Sequence, residues 1–240
     1  MPGKPAAEFR GVSKVYGRFA ALRNVSVSFA VGSCSVVLGP NGAGKSTLLR
    51  IAAGLAAPTR GEVRIYDTTP QEQRGRVAYM SHAPMLYDEL SAMENLKYFA
   101  ALATDKGCDC VGSPEMALRA VGLDPKLTRP VGEYSQGMRQ RTSFARVLQS
   151  DPELLLLDEP FSNMDVSSVG QMVDLLLDFR TWPVEGGGGR TILLTTHQAQ
   201  LAMPLADDVV TLENGELTGV ERVGAHLAGV PMAGAQAVVS

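Results

Sequence analysis

The sequence predicts an α/β fold on three observations. An apolar run, Val36-Val37-Leu38, passes through Gly39-Pro40-Asn41-Gly42-Ala43-Gly44-Lys45-Ser46-Thr47 into Leu48-Leu49-Arg50-Ile51-Ala52-Ala53, which is the order strand, glycine-rich loop, helix. Glu153 to Pro160 and Arg190 to Thr195 each contain an unbroken apolar run of strand length, as suits strands buried on both faces of a parallel sheet. Between these strands, the stretch from about residue 83 to 150 carries mainly helical signals and reads as an inserted subdomain.

From the N-terminus, Phe9 to Val12 and Val25 to Phe29 alternate as short strands, with Val25, Val27 and Phe29 on one face. Lys14-Val15-Tyr16-Gly17-Arg18 reads as the turn between them. Tyr16 there suits surface packing or a ring stacked on a base, and the residue alone leaves both open. Gly54 to Gly61 is a turn-rich connection, followed by strands at Glu62 to Tyr66 and Val77 to Met80. Ser91-Ala92-Met93-Glu94 has the spacing of a capping box and opens a helix over Asn95 to Ala103. Asp105 to Pro114 is polar and irregular, Glu115 to Val121 a second helix, and Ser135-Gln136-Gly137 starts a third. Val166 to Phe179 is an amphipathic helix, and Glu185 to Gly189 a flexible loop. Val209 to Leu212 and Glu216 to Thr218 flank Asn214-Gly215, a hairpin signal. From Gly224 on the chain is small and apolar, a loosely ordered tail with no internal repeat before it.

The glycine-rich stretch satisfies G-x-x-x-x-G-K-[ST] in its required strand-to-helix setting. Glycines permit the tight turn that points successive N–H groups at phosphate oxygens, and the following helix start adds partial positive charge. Lys45 supplies a cation for the terminal phosphates, and the Ser46 hydroxyl suits a Mg²⁺ that keeps water and phosphate oxygens for its other positions. These features predict nucleoside-triphosphate binding. Asp158 and Glu159 end a buried strand, where α/β sheets place ligands. Beside a phosphate loop, the first acid suits Mg²⁺ or its waters and the second suits orienting or deprotonating a water that attacks the γ-phosphate. His197, at the tip of the next strand, is placed to touch the same phosphate; strand-end histidines are otherwise often structural.

Composition narrows the partners. Its 240 residues suit one large domain, and 22 basic against 25 acidic side chains, a formal net charge of −3, give no sign of a nucleic-acid partner. Three cysteines, Cys34, Cys108 and Cys110, cannot all pair within the chain and favour a reducing compartment. Cys108-Asp109-Cys110 lacks a matching Cys/His pair and reads as loop. No signal peptide opens the sequence, and no apolar stretch is long enough to span a bilayer, so membrane work would need another chain.

Taken together, from Tyr16 to Gly215, these motifs resemble the nucleotide-binding subunit of ATP-binding-cassette (ABC) transporters, in that family's order. The resemblance implies a P-loop NTPase (RecA-like) core with a small antiparallel β subdomain and an inserted helical subdomain. It implies one ABC domain over 1–240, with core 1–82 and 151–221, helical subdomain 83–150 and tail 222–240. Tyr16 matches the adenine-stacking position, Gly39 to Thr47 (Gly39, Pro40, Asn41, Gly42, Ala43, Gly44, Lys45, Ser46, Thr47) the Walker A loop, and Leu154 to Glu159 the Walker B strand with its catalytic glutamate. Ser162-Asn163-Met164-Asp165 matches the D-loop and His197 the switch histidine. The family implies ATP and Mg²⁺, a head-to-tail homodimer or paired cassette, membrane-spanning permease subunits on a separate chain, and a peripheral place on the cytoplasmic face of the cell membrane. Each ATP would lie between one chain's Lys45, Ser46, Asp158, Glu159 and His197 and the partner's signature residues.

Two departures stand out. The family signature, usually Leu-Ser-Gly-Gly-Gln, reads Tyr134-Ser135-Gln136-Gly137-Met138: the phosphate-contacting Ser135 and Gly137 are kept, while Met138 loses the amide. His82 stands where most members carry a glutamine that contacts Mg²⁺ or the attacking water, and imidazole suits Mg²⁺ poorly. Tyr79-x-x-His82-x-Pro84, Leu90 to Leu96, Leu157 to Phe161 and Leu194-Thr195-Thr196-His197-Gln198 resemble the haem-exporter ATPase of cytochrome c maturation; the signature Tyr134 to Met138 fits that group less well and also resembles general exporter ATPases. Other classes are a soluble ABC ATPase of repair or translation and a regulatory binder without turnover. A short interval between motifs, without heptads, argues against the first, and Glu159 with His197 against the second.

Overall fold

The computed structural model describes residues 5–104, 112–184 and 187–223. Cys108, Cys110, Glu185, Gly186 and the tail from Gly224 lie outside the described residues.

Two sheets form the frame. Strands β1 (Pro5–Tyr16), β2 (Phe19–Ala30) and β4 (Arg60–Ile65) make an antiparallel sheet in the order β2-β1-β4. β1 is far longer than the Phe9–Val12 segment expected, and Lys14-Val15-Tyr16 belongs to its end rather than to a turn. The physical reason is a series of register shifts between Phe9 and Val15, which break the two-residue alternation that a sequence reading depends on.

The second sheet contains β3 (Cys34–Leu38), β5 (Val77–Met80), β6 (Leu154–Asp158), β7 (Thr191–Thr196), β8 (Asp208–Glu213) and β9 (Glu216–Arg222), in the order β5-β6-β7-β3-β8-β9. All its pairings are parallel except β8 with β9, which close an antiparallel hairpin over Asn214 and Gly215 at φ 50° and 83°. Positive φ at both residues is what the Asn-Gly pair supplies to a type I′ turn.

The apolar run of β6 is buried on both faces, as its composition predicts. Leu154 and Leu156 join Val37, Leu193, the α1 (Lys45–Ala52) residues Leu48, Leu49 and Ile51, and the antiparallel-sheet residues Phe9 and Phe29. Leu155 and Leu157 face the other way, onto Ile192, Leu194 and the α5 (Val166–Thr181) residues Met172, Leu176 and Phe179. Each fully buried leucine contributes on the order of 1.5–3 kcal/mol, so the register of this one strand is strongly fixed.

Among the described residues, three α-helices occupy the 83–150 stretch: α2 (Ala92–Thr104), α3 (Pro114–Ala120) and α4 (Gln136–Leu148). Their buried Leu96, Leu118 and Phe144 belong to the same apolar cluster as Leu155 and Leu157. α2 begins with the reciprocal capping box read from sequence. The Ser91 Oγ accepts from the Glu94 amide at 3.2 Å, and the Ser91 amide donates to Glu94 Oε2 at 2.8 Å. Ser135 caps α4 and Asp165 caps α5 in the same way, each accepting from the amide three residues on. A short helix α6 (Ala199–Ala202), which no sequence signal announced, follows β7. No described helix is long and apolar enough to cross a membrane.

Candidate active site

Parallel register builds the site. Leu38 pairs with Thr196 and Asp158 with Thr195, so the ends of β3, β6 and β7 meet at one sheet edge. The next residues, Gly39, Glu159 and His197, are delivered to that edge together. β3 runs into the glycine loop and α1, whose N-cap Gly44 sits at φ 103°. A Cβ on Gly44 would collide with the Ala21 carbonyl of β2, so only glycine lets the loop lie this close to the neighbouring sheet.

A cavity of about 450 Å³ opens over this edge. Its walls include Asn41 to Thr47 and Asp158, Glu159, His82 and His197. Lys45 is 6% exposed, and its Nζ donates to the carbonyls of Gly39 at 2.7 Å and Pro40 at 3.1 Å. The same Nζ lies 3.5 Å from Glu159 Oε1. Asp158 is buried and its Oδ1 accepts from the Ser46 and Thr195 hydroxyls, both at 2.8 Å.

Glu159 has a left-handed backbone, φ 52°, an unfavourable conformation for a side-chain-bearing residue that costs about 1–3 kcal/mol. Its amide donates to the Thr195 carbonyl at 3.0 Å, which holds the turn. The His197 amide donates to Glu159 Oε2 at 3.3 Å, and His197 Nδ1 lies 3.0 Å from the same oxygen. A carboxylate only accepts, so Nδ1 carries the proton; Nε2, 3.3 Å from the Gln198 side-chain nitrogen, is then the acceptor. Glu159 is thereby held between a cation and an imidazole N–H.

The hard oxygen donors Ser46 and Asp158, already in contact, fit a Mg²⁺ that completes its shell with water and phosphate. No cluster of three or more His, Cys, Asp or Glu among the described residues would hold a metal unaided.

Other sequence-selected residues fall elsewhere. Tyr16 is 46% exposed, with Lys14 Nζ 4.8 Å from its ring centre, and does not line the cavity, whereas Phe19 does. Gly39 and Pro40 form the loop's base through their carbonyls. Ser135 and Gly137 are at the start of α4, and no residue from Tyr134 to Met138 lines the cavity. Gly137 packs on the start of α5, where a Cβ would come within 2.8 Å of Ser168 Cβ and nearer still to its Oγ. Ser162 of the expected D-loop lies on the cavity wall. Phe19 and Arg50 also line it and were missed. Neither belongs to a spaced motif; the one available signal was their proximity in sequence to Tyr16 and to the loop.

Comparison with known proteins gives a consistent picture. The family model described as ABC transporter matches residues 22–162. A fluoroquinolones export ATP-binding protein of Mycobacterium tuberculosis is 34% identical over 225 residues, covering 91% of this chain and 71% of that protein. The taurine import ATP-binding protein TauB of Pseudomonas aeruginosa is 35% identical over 206 residues, covering 86% and 76%. Among solved structures, the dimeric bacterial ABC transporter cassette MJ0796 is similar with a TM-score of 0.74 and 25% identity, over 90% of this chain and 98% of that one.

Proposed function

Since this chain belongs to the ATP-binding subunits of ABC transporters, ATPases that couple hydrolysis to transport, we propose that its sheet-edge cavity binds and cleaves the triphosphate as follows. Lys45 turns from the Gly39 and Pro40 carbonyls to the β- and γ-phosphates, while loop amides and the α1 start hold the remaining oxygens. Ser46 and Asp158 would hold Mg²⁺, which when bound would supply positive charge against that developing on the phosphates. Glu159 takes the proton of the attacking water, and the His197 Nδ1–H, which steadies that carboxylate in the empty site, turns to the γ-phosphate once the triphosphate is bound. His82, on the wall of the cavity, is available to hydrogen-bond that water in place of the usual glutamine.

The observation that carries this reading is the setting of Glu159: a carboxylate 3.5 Å from Lys45 Nζ and 3.0 Å from His197 Nδ1 on the cavity wall. The test is Glu159→Gln. ATP binding should persist while phosphate release stops, and normal hydrolysis in that variant removes the assigned role.

A dimer of cassettes completes the proposal. Ser135 and Gly137 of one chain would close over the triphosphate held by the other, with separate permease subunits moved through the loop at His82 on the cytoplasmic face of the membrane. Division into core 1–82 and 151–221, helical subdomain 83–150 and tail 222–240 is part of this reading. Export is the direction we favour. A relative in Mycobacterium tuberculosis is named for export, and the pieces around His82 and Thr195-Thr196-His197-Gln198 resemble haem-exporter ATPases. Import is the second reading, favoured by the similarity to TauB. Identifying the membrane protein that copurifies from detergent extracts, then assaying haem-stimulated hydrolysis of that complex, separates them.

A further inference from the structure

Asp158 is gripped on both oxygens, and only part of that grip is accounted for. Its Oδ1 takes the Ser46 and Thr195 hydroxyls. Its Oδ2 accepts from the Tyr79 hydroxyl at 3.2 Å, a contact reaching from β5 to the end of β6. The Arg50 guanidinium interacts with the same phenol, which raises the arginine's pKa, and Arg50 lines the cavity. A tyrosine phenol keeps its proton in the neutral range, so Tyr79 donates to that carboxylate oxygen. Its ring packs with Val77 against the apolar cluster beneath α1, which leaves the hydroxyl little freedom.

We propose that Tyr79 is a positioning residue for Asp158, fixing the rotation of its carboxylate so that one oxygen stays turned toward Ser46. Two donors on Oδ1 alone leave the carboxylate free to tilt about its terminal bond. A third donor on Oδ2, carried on a rigid ring anchored in a different strand, removes that freedom. Groups that orient a metal ligand from behind commonly set metal affinity without touching the metal. The proposal rests on the reading that Ser46 and Asp158 hold Mg²⁺.

The test uses the full chain and Tyr79→Phe, which keeps the ring and removes the hydroxyl. Binding of a fluorescent ATP analogue is measured in EDTA and across a Mg²⁺ titration, with hydrolysis followed over the same titration. Affinity in EDTA should stay within about twofold of wild type, the Mg²⁺ concentration for half-maximal effect should rise roughly tenfold, and excess Mg²⁺ should restore turnover. An unchanged Mg²⁺ dependence, or an equal loss of affinity with and without metal, overturns the proposal. Asp158→Asn separates the two layers. If it keeps wild-type Mg²⁺ dependence, the metal reading fails and this inference with it; if it loses that dependence and Tyr79→Phe does not, only the role of Tyr79 fails. Should the Tyr79 variant not fold, Arg50→Gln loosens the phenol from behind. It should shift the Mg²⁺ dependence in the same direction by less, and no shift there is equally contradictory.

Discussion

The sheet edge at Lys45 and the start of α4 at Ser135 both have the makings of a phosphate site, but they are equipped differently. The edge has a buried cation, two carboxylates, two histidines, a helix start and a cavity. The α4 start has a capping hydroxyl and a glycine at a helix terminus. Two cations beside it are engaged: Arg139 donates to Asp88 at 2.6 Å, and Arg129 lies over the Tyr134 ring with one nitrogen 3.3 Å from Met138 Sδ. On the proposed reading the edge holds the triphosphate, and Ser135 and Gly137 serve phosphate presented by another chain. That difference is the physical case for a dimer with ATP in its interface, so that cleavage loosens the pair.

The largest effects should come from breaking the edge. Glu159→Gln is expected to lower steady-state phosphate release by roughly 10²–10⁴-fold, with the affinity for ATP retained. Lys45→Ala should weaken ATP binding by roughly 10–100-fold, read by equilibrium titration of dilute protein, because it removes a charge-assisted partner of the phosphates. Ser135→Ala sharpens the contrast. It should leave binding to dilute, unpaired protein unchanged and lower hydrolysis only where two chains meet; an affinity loss in dilute protein would place Ser135 in its own chain's site.

Smaller effects probe the joint between α4 and α5. Gly137→Ala is expected to cost about 1–3 kcal/mol of stability, since its Cβ has no room beside Ser168, and Ser168→Gly in the same chain should recover part of it. Denaturant midpoints measure both. The smallest concerns Cys34, whose thiol burial pushes up to about 12. The unfolded thiol ionises near its ordinary value and the folded one does not, so its contribution to stability is intact below pH 9 and lost as pH rises toward 12. Cys34→Ala should flatten the fall in melting temperature over that interval.

Much of this was legible in sequence where one local rule dominates. The phosphate loop needs its glycines, β6 needs four apolar residues for two buried faces, and α2 needs Ser91 and Glu94 three apart. The family match bears out the ABC resemblance over 22–162. What escaped depends on contacts between distant segments. β1 looks short in sequence because its bulges disrupt alternation, and α6 is too brief for a helical period. The Tyr79 contact spans 79 positions, and Phe19 and Arg50 reach the cavity through sheet packing and helix phase rather than through any spaced motif.

The dimer claim is tested most directly by weighing Glu159→Gln in solution with saturating ATP and Mg²⁺, by light scattering. The account predicts that a 25.5 kDa chain doubles in mass with ATP and returns to single mass with ADP, and that Ser135→Ala in the same background weakens the doubling. A mass that stays at one chain with ATP, both alone and beside its copurified permease, would contradict it.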